Sequence, residues 1–251
     1  MMSNSMSDFW WRSLRWQLAL FVVLAMILGT TDLDEQVARA LFFEPGHGWI
    51  GAASWWTHDF IHKGGQWLIR GVVFAAACMW LASFIDDSLL RWRRAAGFTF
   101  VAMVLTIGTV GVLKHLTNVN CPWDLIPFGG RYPYAHLFAH RPPSAHLGRC
   151  FPAAHSSAGY ALMTFYFVFR DRNPRRARIG LFLGIVIGLI FGISQQSRGA
   201  HFLSHDIWSA MIAWYVPLTL YCFGFKGELW REVEVPEVLT AATMTVPRSE
   251  S

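Results

Sequence analysis

The stretch Ile179-Gly-Leu-Phe-Leu-Gly-Ile-Val-Ile-Gly-Leu-Ile-Phe-Gly-Ile-Ser194 is uncharged and, up to its last residue, free of polar side chains. With its flanks it approaches the about 20 residues that a helix needs to cross a bilayer. Before it lie Arg170, Arg172, Arg175, Arg176 and Arg178. After it comes Ser194-Gln-Gln-Ser-Arg198-Gly-Ala-His201-Phe-Leu-Ser-His205-Asp206. A short basic loop at one end of an apolar run is the mark of a cytoplasmic loop, which puts the polar cluster at the outer end.

Five further runs are rich in Leu, Ile, Val, Phe, Ala and Gly: Trp16–Thr30, Trp67–Ile85, Phe98–Leu116, Ser157–Phe169 and Ile207–Phe225. None alternates with period two, which disfavours a membrane β-barrel. The expected fold is all-α: a polytopic membrane protein, one domain over 1–232 built as a six-transmembrane-helix bundle. A polar, disordered cytoplasmic tail is expected over 233–251. The first run lacks a small-x-small cleavage site and reads as a retained span.

Composition agrees. Of 251 residues, 54% are hydrophobic and 15% charged, against about 25% charged in soluble domains. That excludes a typical soluble enzyme and a disordered chain. The net charge of +5 suggests a nucleic-acid surface only until the charges are located. Arg12 and Arg15 precede the first span, Arg91, Arg93 and Arg94 separate the second and third, and Lys226 and Arg231 follow the sixth. Both termini are therefore expected inside, with segments 31–66, 117–156 and 195–206 outside. All ten histidines (His47, His58, His62, His115, His136, His140, His146, His155, His201 and His205) fall in outer segments or at outer ends of spans. The cytoplasmic loops are polar too and hold none, so chemistry is expected on the outer face. No nucleotide-binding glycine loop and no nucleic-acid module is present.

Cys78 and Cys222 lie inside spans and read as packing residues. Cys121 and Cys150 bracket one outer loop, where a disulfide is permitted. Two unpaired thiols are the alternative. Zinc is disfavoured because no Cys-x2-Cys or His-x3-His pair accompanies them.

Three polar clusters mark the outer mouths of the spans. Lys114 ends the third, with Cys121-Pro122-Trp123-Asp124 just beyond. Phe151-Pro-Ala-Ala-His155-Ser156-Ser157 leads into the fourth, and Ser194 to Asp206 leads into the sixth. Helix N-termini with Lys and Arg nearby favour a bound anion. Histidine beside a carboxylate supplies a nucleophile or base. The residues therefore point to a phosphate site at the membrane surface with two reactive histidines.

This constellation resembles the type 2 phosphatidic acid phosphatases, integral-membrane lipid phosphatases related to vanadium haloperoxidases. That family carries K-x6-R-P, P-S-G-H and S-R-x5-H-x3-D on a six-span bundle. Lys114 and Pro122 match the first motif, with Cys121 in its Arg slot. Pro152 and His155 match the second, with Ala153 and Ala154 in place of Ser-Gly. In the third, Ser194 and His201 match, Gln195 occupies the Arg slot and His205 the Asp slot. Arg198 stands one helical turn beyond the usual Arg, and Asp206 one residue late.

The resemblance implies His201 as nucleophile, His155 as general acid, and Lys114 and Arg198 as phosphate-binding residues. Asp206 is the implied orienter of His201, with His205 as rival. Arg131 and Arg149 are candidates for the missing Arg, and Ser156 for the lost hydroxyl. No metal and no cofactor is implied. The implied activity is a metal-independent lipid phosphate or diphosphate phosphatase, acting through phosphohistidine at the periplasmic face of a bacterial-type inner membrane. A lipid phosphotransferase would use the same site. A transporter would need polar residues inside the spans, which are few, and a non-catalytic lipid-binding protein is the remaining alternative. The topology is checked by labelling single cysteines introduced as His140→Cys and Asn173→Cys. They should react from opposite sides of the membrane, and reaction from one side overturns the six-span arrangement.

Overall fold

The computed structural model describes residues 4–140 and 147–230; the expected tail over 233–251 lies outside them. Eight α-helices account for most of the fold. They are α1 (Asn4–Thr30), α2 (Leu33–Leu41), α3 (Gly65–Ala82), α4 (Arg93–Leu116), α5 (Ala154–Tyr160), α6 (Thr164–Phe169), α7 (Pro174–Ser197) and α8 (Leu203–Thr219). A π-helical stretch, Trp56–Gly64, runs straight into α3. Two two-residue strands, β1 (Phe43–Glu44) and β2 (Gly48–Trp49), form the one small hairpin among the described residues.

Among the described residues, five helical stretches are long and apolar enough to cross a membrane: Ser7–Thr30, Trp56–Ala82, Asp87–Leu116, Pro174–Ser197 and Leu203–Gly224. They fit a membrane protein. Their outward faces carry bare apolar side chains such as Leu20, Val23, Trp67, Phe74, Phe182 and Ile190, a surface suited to lipid rather than water.

The expected fourth span, Ser157–Phe169, takes another form. α5 and α6 are separated by a tighter turn at Ala161–Met163, and together they are too short to count among the five. Ser156, Ser157, Ala161, Thr164 and Phe167 have no exposed surface. This segment is apolar because the other helices enclose it, not because it faces lipid. Hydropathy cannot distinguish the two environments.

The enclosure depends on α7. Asn173 caps that helix by accepting from the Arg176 amide at 3.0 Å, and Pro174 occupies its first turn, where no amide donor is needed. Along one face come Gly180, Gly184, Gly188 and Gly192. A Cβ on Gly180 would meet Phe165, on Gly184 Met163, on Gly188 the Tyr160 ring, and on Gly192 the Asp206 carboxylate. Gly159 of α5 in turn lies against the Gly188 backbone. Small residues at four-residue spacing let backbones approach closely, and here they seat α5 and α6 against α7. Gly188→Leu should therefore cost about 1–3 kcal/mol through overpacking and lower the melting temperature in detergent. Gly108→Ala on α4, where nothing lies within 4 Å of the added carbon, should not. Equal losses in both would refute the seam.

Candidate active site

α7 ends in a reversed turn. Gly199 is left-handed at φ +75°, its amide donates to Gln196 O and that of Ala200 to Gln195 O, both at 2.9 Å. This is a Schellman cap, which glycine adopts without steric cost. A side chain at 199 would also strike the Trp49 ring. The turn carries the chain from Arg198 to His201 and into α8. The site's rim closes over it through Gly51 N–H to Ser197 O at 2.9 Å and Trp123 N–H to Gly199 O at 3.0 Å.

The start of α8 has no cap from its own flanking residue. Asp34 of α2 supplies one from a distance. Its carboxylate accepts the Ser204 amide at 2.9 Å and, more closely, the Ser204 hydroxyl. Both residues are buried. Burial pushes the Asp34 carboxyl up to about 6, against the pull of the two Ser204 bonds.

His201 is buried. Its Nδ1 lies 3.4 Å from Nδ1 of His205, and the Cys150 carbonyl also accepts a hydrogen bond from its ring. Burial first, then the neighbouring His205 and Lys114, hold His201 well below the ordinary histidine value. It is therefore neutral near pH 7, the form that can attack an electrophile.

The Cys150 carbonyl is itself fixed. Cys121 and Cys150 are joined by a disulfide, with Cα atoms 5.1 Å apart. Cys150 N–H donates to Val119 O at 2.9 Å. Gly148 N–H donates to Asn118 Oδ1 at 2.8 Å, and the Thr117 hydroxyl to Phe151 O at 2.6 Å.

His155, in the first turn of α5, is also buried. Two rings flank it: His62, with centroids 4.4 Å apart and planes tilted by 34°, and Phe191, at 4.7 Å and 33°. The ring hydrogen-bonds the Ile61 carbonyl, while Nε2 has no partner. A carbonyl only accepts, so Nδ1 carries the proton and Nε2 presents a lone pair. Lys114, half-buried in the last turn of α4, acts electrostatically on both His155 and His201, and Arg198 on His155. Arg198 also donates to Gln195 Oε1 at 3.4 Å, and Gln195 Nε2 lies 3.1 Å from His62 Nδ1.

The structure thus gathers Lys114, His155, Gln195, Arg198, His201 and His205 around one region. Asp206 is placed otherwise. Its carboxylate accepts from Gln196 Nε2 at 2.6 Å, tying α8 to α7. The ring beside His201 belongs to His205. Ser156 is fully buried with Asp206, and Arg131 and Arg149 are exposed. Arg149 lines an open cleft with Trp123, Asp124 and the disulfide. His62 is the residue that motif spacing missed. Its only signal was membership of the outer-face histidines.

The chain matches the family model of the PAP2 superfamily over residues 95–228, just over half its length, and so belongs to the type 2 phosphatidic acid phosphatase family. Comparison with curated proteins finds no match, and neither does comparison with solved structures. Membership implies a phosphatase-type activity on a phosphorylated substrate.

Asp34 allows a direct check of how α8 is held. Its folded value of about 6 exceeds the usual 3.8. A raised carboxyl value contributes stability that is fully present below pH 3.8 and lost as pH rises through 6. The difference amounts to up to about 3 kcal/mol. Asp34→Asn should remove this slope from the melting curve between pH 4 and 7 while keeping one acceptor for Ser204. Asp34→Ala should also cost about 1 kcal/mol for the lost cap. An unchanged slope in Asp34→Asn would show that the carboxyl does not titrate with folding.

Proposed function

We propose that the chain is a metal-independent lipid phosphate or diphosphate phosphatase, acting at the outer face of a bacterial-type inner membrane through a phosphohistidine intermediate. The observation that carries this reading is His201: a buried, neutral imidazole with Nδ1 engaged by a second ring and a lysine charge nearby. The His201 ring nitrogen that does not carry the proton given to the Cys150 carbonyl attacks phosphorus, forming an N–P bond as the ester P–O bond breaks. Protonated His155 gives its Nε2 proton to the departing alcohol. Neutral His155 then takes a proton from water, whose oxygen attacks phosphorus, releasing phosphate and free His201. Lys114 and Arg198 stabilise charge on the phosphoryl oxygens in both steps. His205 holds the tautomer of His201.

Several features support the placement. His201 stands just before the membrane-length helix Leu203–Gly224, and His155 opens the α5–α6 segment, at the end away from the Arg170–Arg178 loop; the basic-loop rule favours termini inside and the site outside. The apolar outer faces of the bundle present the site to a lipid's own environment.

The test is purified protein against a panel of lipid phosphates and diphosphates, with and without EDTA, scored for free phosphate. Turnover should survive EDTA and be inhibited by vanadate, and His201→Ala should abolish it. His155→Ala should lose about 10²–10⁴-fold with alkyl phosphates while sparing the first step with an aryl phosphate, whose phenol needs little protonation. Alkaline quench with a ³²P substrate, which preserves the acid-labile N–P bond, should then trap label in His155→Ala and none in His201→Ala. The reverse pattern exchanges the two roles, and full activity in both overturns the site.

A further inference from the structure

His62 has no counterpart in the three motifs, yet it touches two of the residues that matter most. It lies near the outer end of the Trp56–Ala82 helix, far in sequence from all the others. Its ring centroid stands 4.4 Å from that of His155, which the Phe191 ring also approaches to 4.7 Å. With two rings this near, the His155 imidazole has little room to turn.

The second contact fixes the chemistry of the His62 ring. The Arg198 guanidinium can only donate, so the Gln195 atom facing it at 3.4 Å is Oε1. The amide nitrogen is then the atom 3.1 Å from His62 Nδ1, and it donates. Nδ1 of His62 is an acceptor, and its proton sits on Nε2. A second proton on His62 would have to enter at Nδ1, against the amide hydrogen already there. The Gln195 bond therefore holds His62 in one neutral tautomer, with its ring beside His155.

We propose that His62 is a positioning residue of this site: it packs on His155 and holds that ring where a leaving group would meet it, and it anchors Arg198 through Gln195. This rests on the phosphatase reading above. The Arg slot of the third motif holds Gln195, and the displaced Arg198 is tied back to the reacting centre by a side chain from another helix.

The experiment compares His62→Ala and His62→Phe with wild type, using an alkyl and an aryl phosphate and measuring inhibition by vanadate. In His62→Ala, kcat for the alkyl substrate should fall roughly tenfold or more relative to the aryl one, a part of what general acid catalysis is worth. Vanadate should inhibit it several-fold less well. His62→Phe keeps a neutral ring on His155 but gives Gln195 nothing to bond. Its alkyl-to-aryl ratio should return toward wild type while vanadate inhibition stays weak. An equal fall for both substrates in His62→Ala, with vanadate inhibition unchanged, means general loosening and overturns the proposal, as does wild-type behaviour. Should His62→Ala fail to fold, Gln195→Leu cuts the tie with both rings in place, and undiminished vanadate inhibition there overturns the anchoring. Wild type without turnover on any phosphate would instead sink the phosphatase reading itself.

Discussion

How closely α5 can approach α7 determines where the reactive groups stand. His155 lies in the first turn of α5, and Phe191, which packs on its ring, lies on α7 beside Gly188 and Gly192. Were α7 lined with ordinary side chains along this seam, α5 would move out by the thickness of a residue. The flank of His155 would open, and Gly192 would no longer leave room for the Asp206 carboxylate. Close packing transmits such shifts because interiors hold little free volume. The glycines add no chemistry, yet the geometry of two histidines on separate helices depends on them.

An apolar bundle raises the cost of any polar group without a partner, and the outer end of this one is organised around that cost. Nδ1 of His155 is matched by a carbonyl that the π-helical stretch before α3 presents, and the His201 ring by a carbonyl beside the disulfide. The unsupported amide of α8 is matched by a carboxylate from α2. Two of the partners come from segment 31–66 and one from 117–156, so the outer segments act as part of the site and not as a cover. The Ser209 hydroxyl, 2.9 Å from both Ala153 O and His205 O, stitches the second and third motifs directly.

Much of this was legible in the residues. The membrane-length helices follow from local pattern, the phosphatase motifs from resemblance to a known family, and the Cys121–Cys150 bridge is one of the two readings that the spacing allowed. Three features did not follow, for physical reasons. That Ser157–Phe169 is enclosed by the other helices was not visible, because hydropathy measures distance from water and cannot tell lipid from protein. Asp206 reads as the better orienter because carboxylates usually hold such histidines, but His201 precedes α8, and it is the His205 ring, in the first turn of that helix, that stands 3.4 Å from it; Asp206, one residue on, is turned toward Gln196 of α7. His62 could not be found by spacing at all, because its place is set by how α3 leans on α5 and α7.

His205 in the carboxylate position also changes the charge balance of the centre. A neutral imidazole can fix the tautomer of His201 as a carboxylate would, but it adds no negative charge to offset an imidazolium or a phosphohistidine. Among the described residues no carboxylate bonds His201, since Asp206 accepts from Gln196. On the proposed reading such a centre is more positive than one with the family's aspartate, and a doubly negative phosphoryl group is the species that such a field attracts. The positive charge also disfavours protonation of either histidine. On the same reading His155 would take its proton most readily once the substrate's own charge is present, so that the replacements at 195 and 205 would act together.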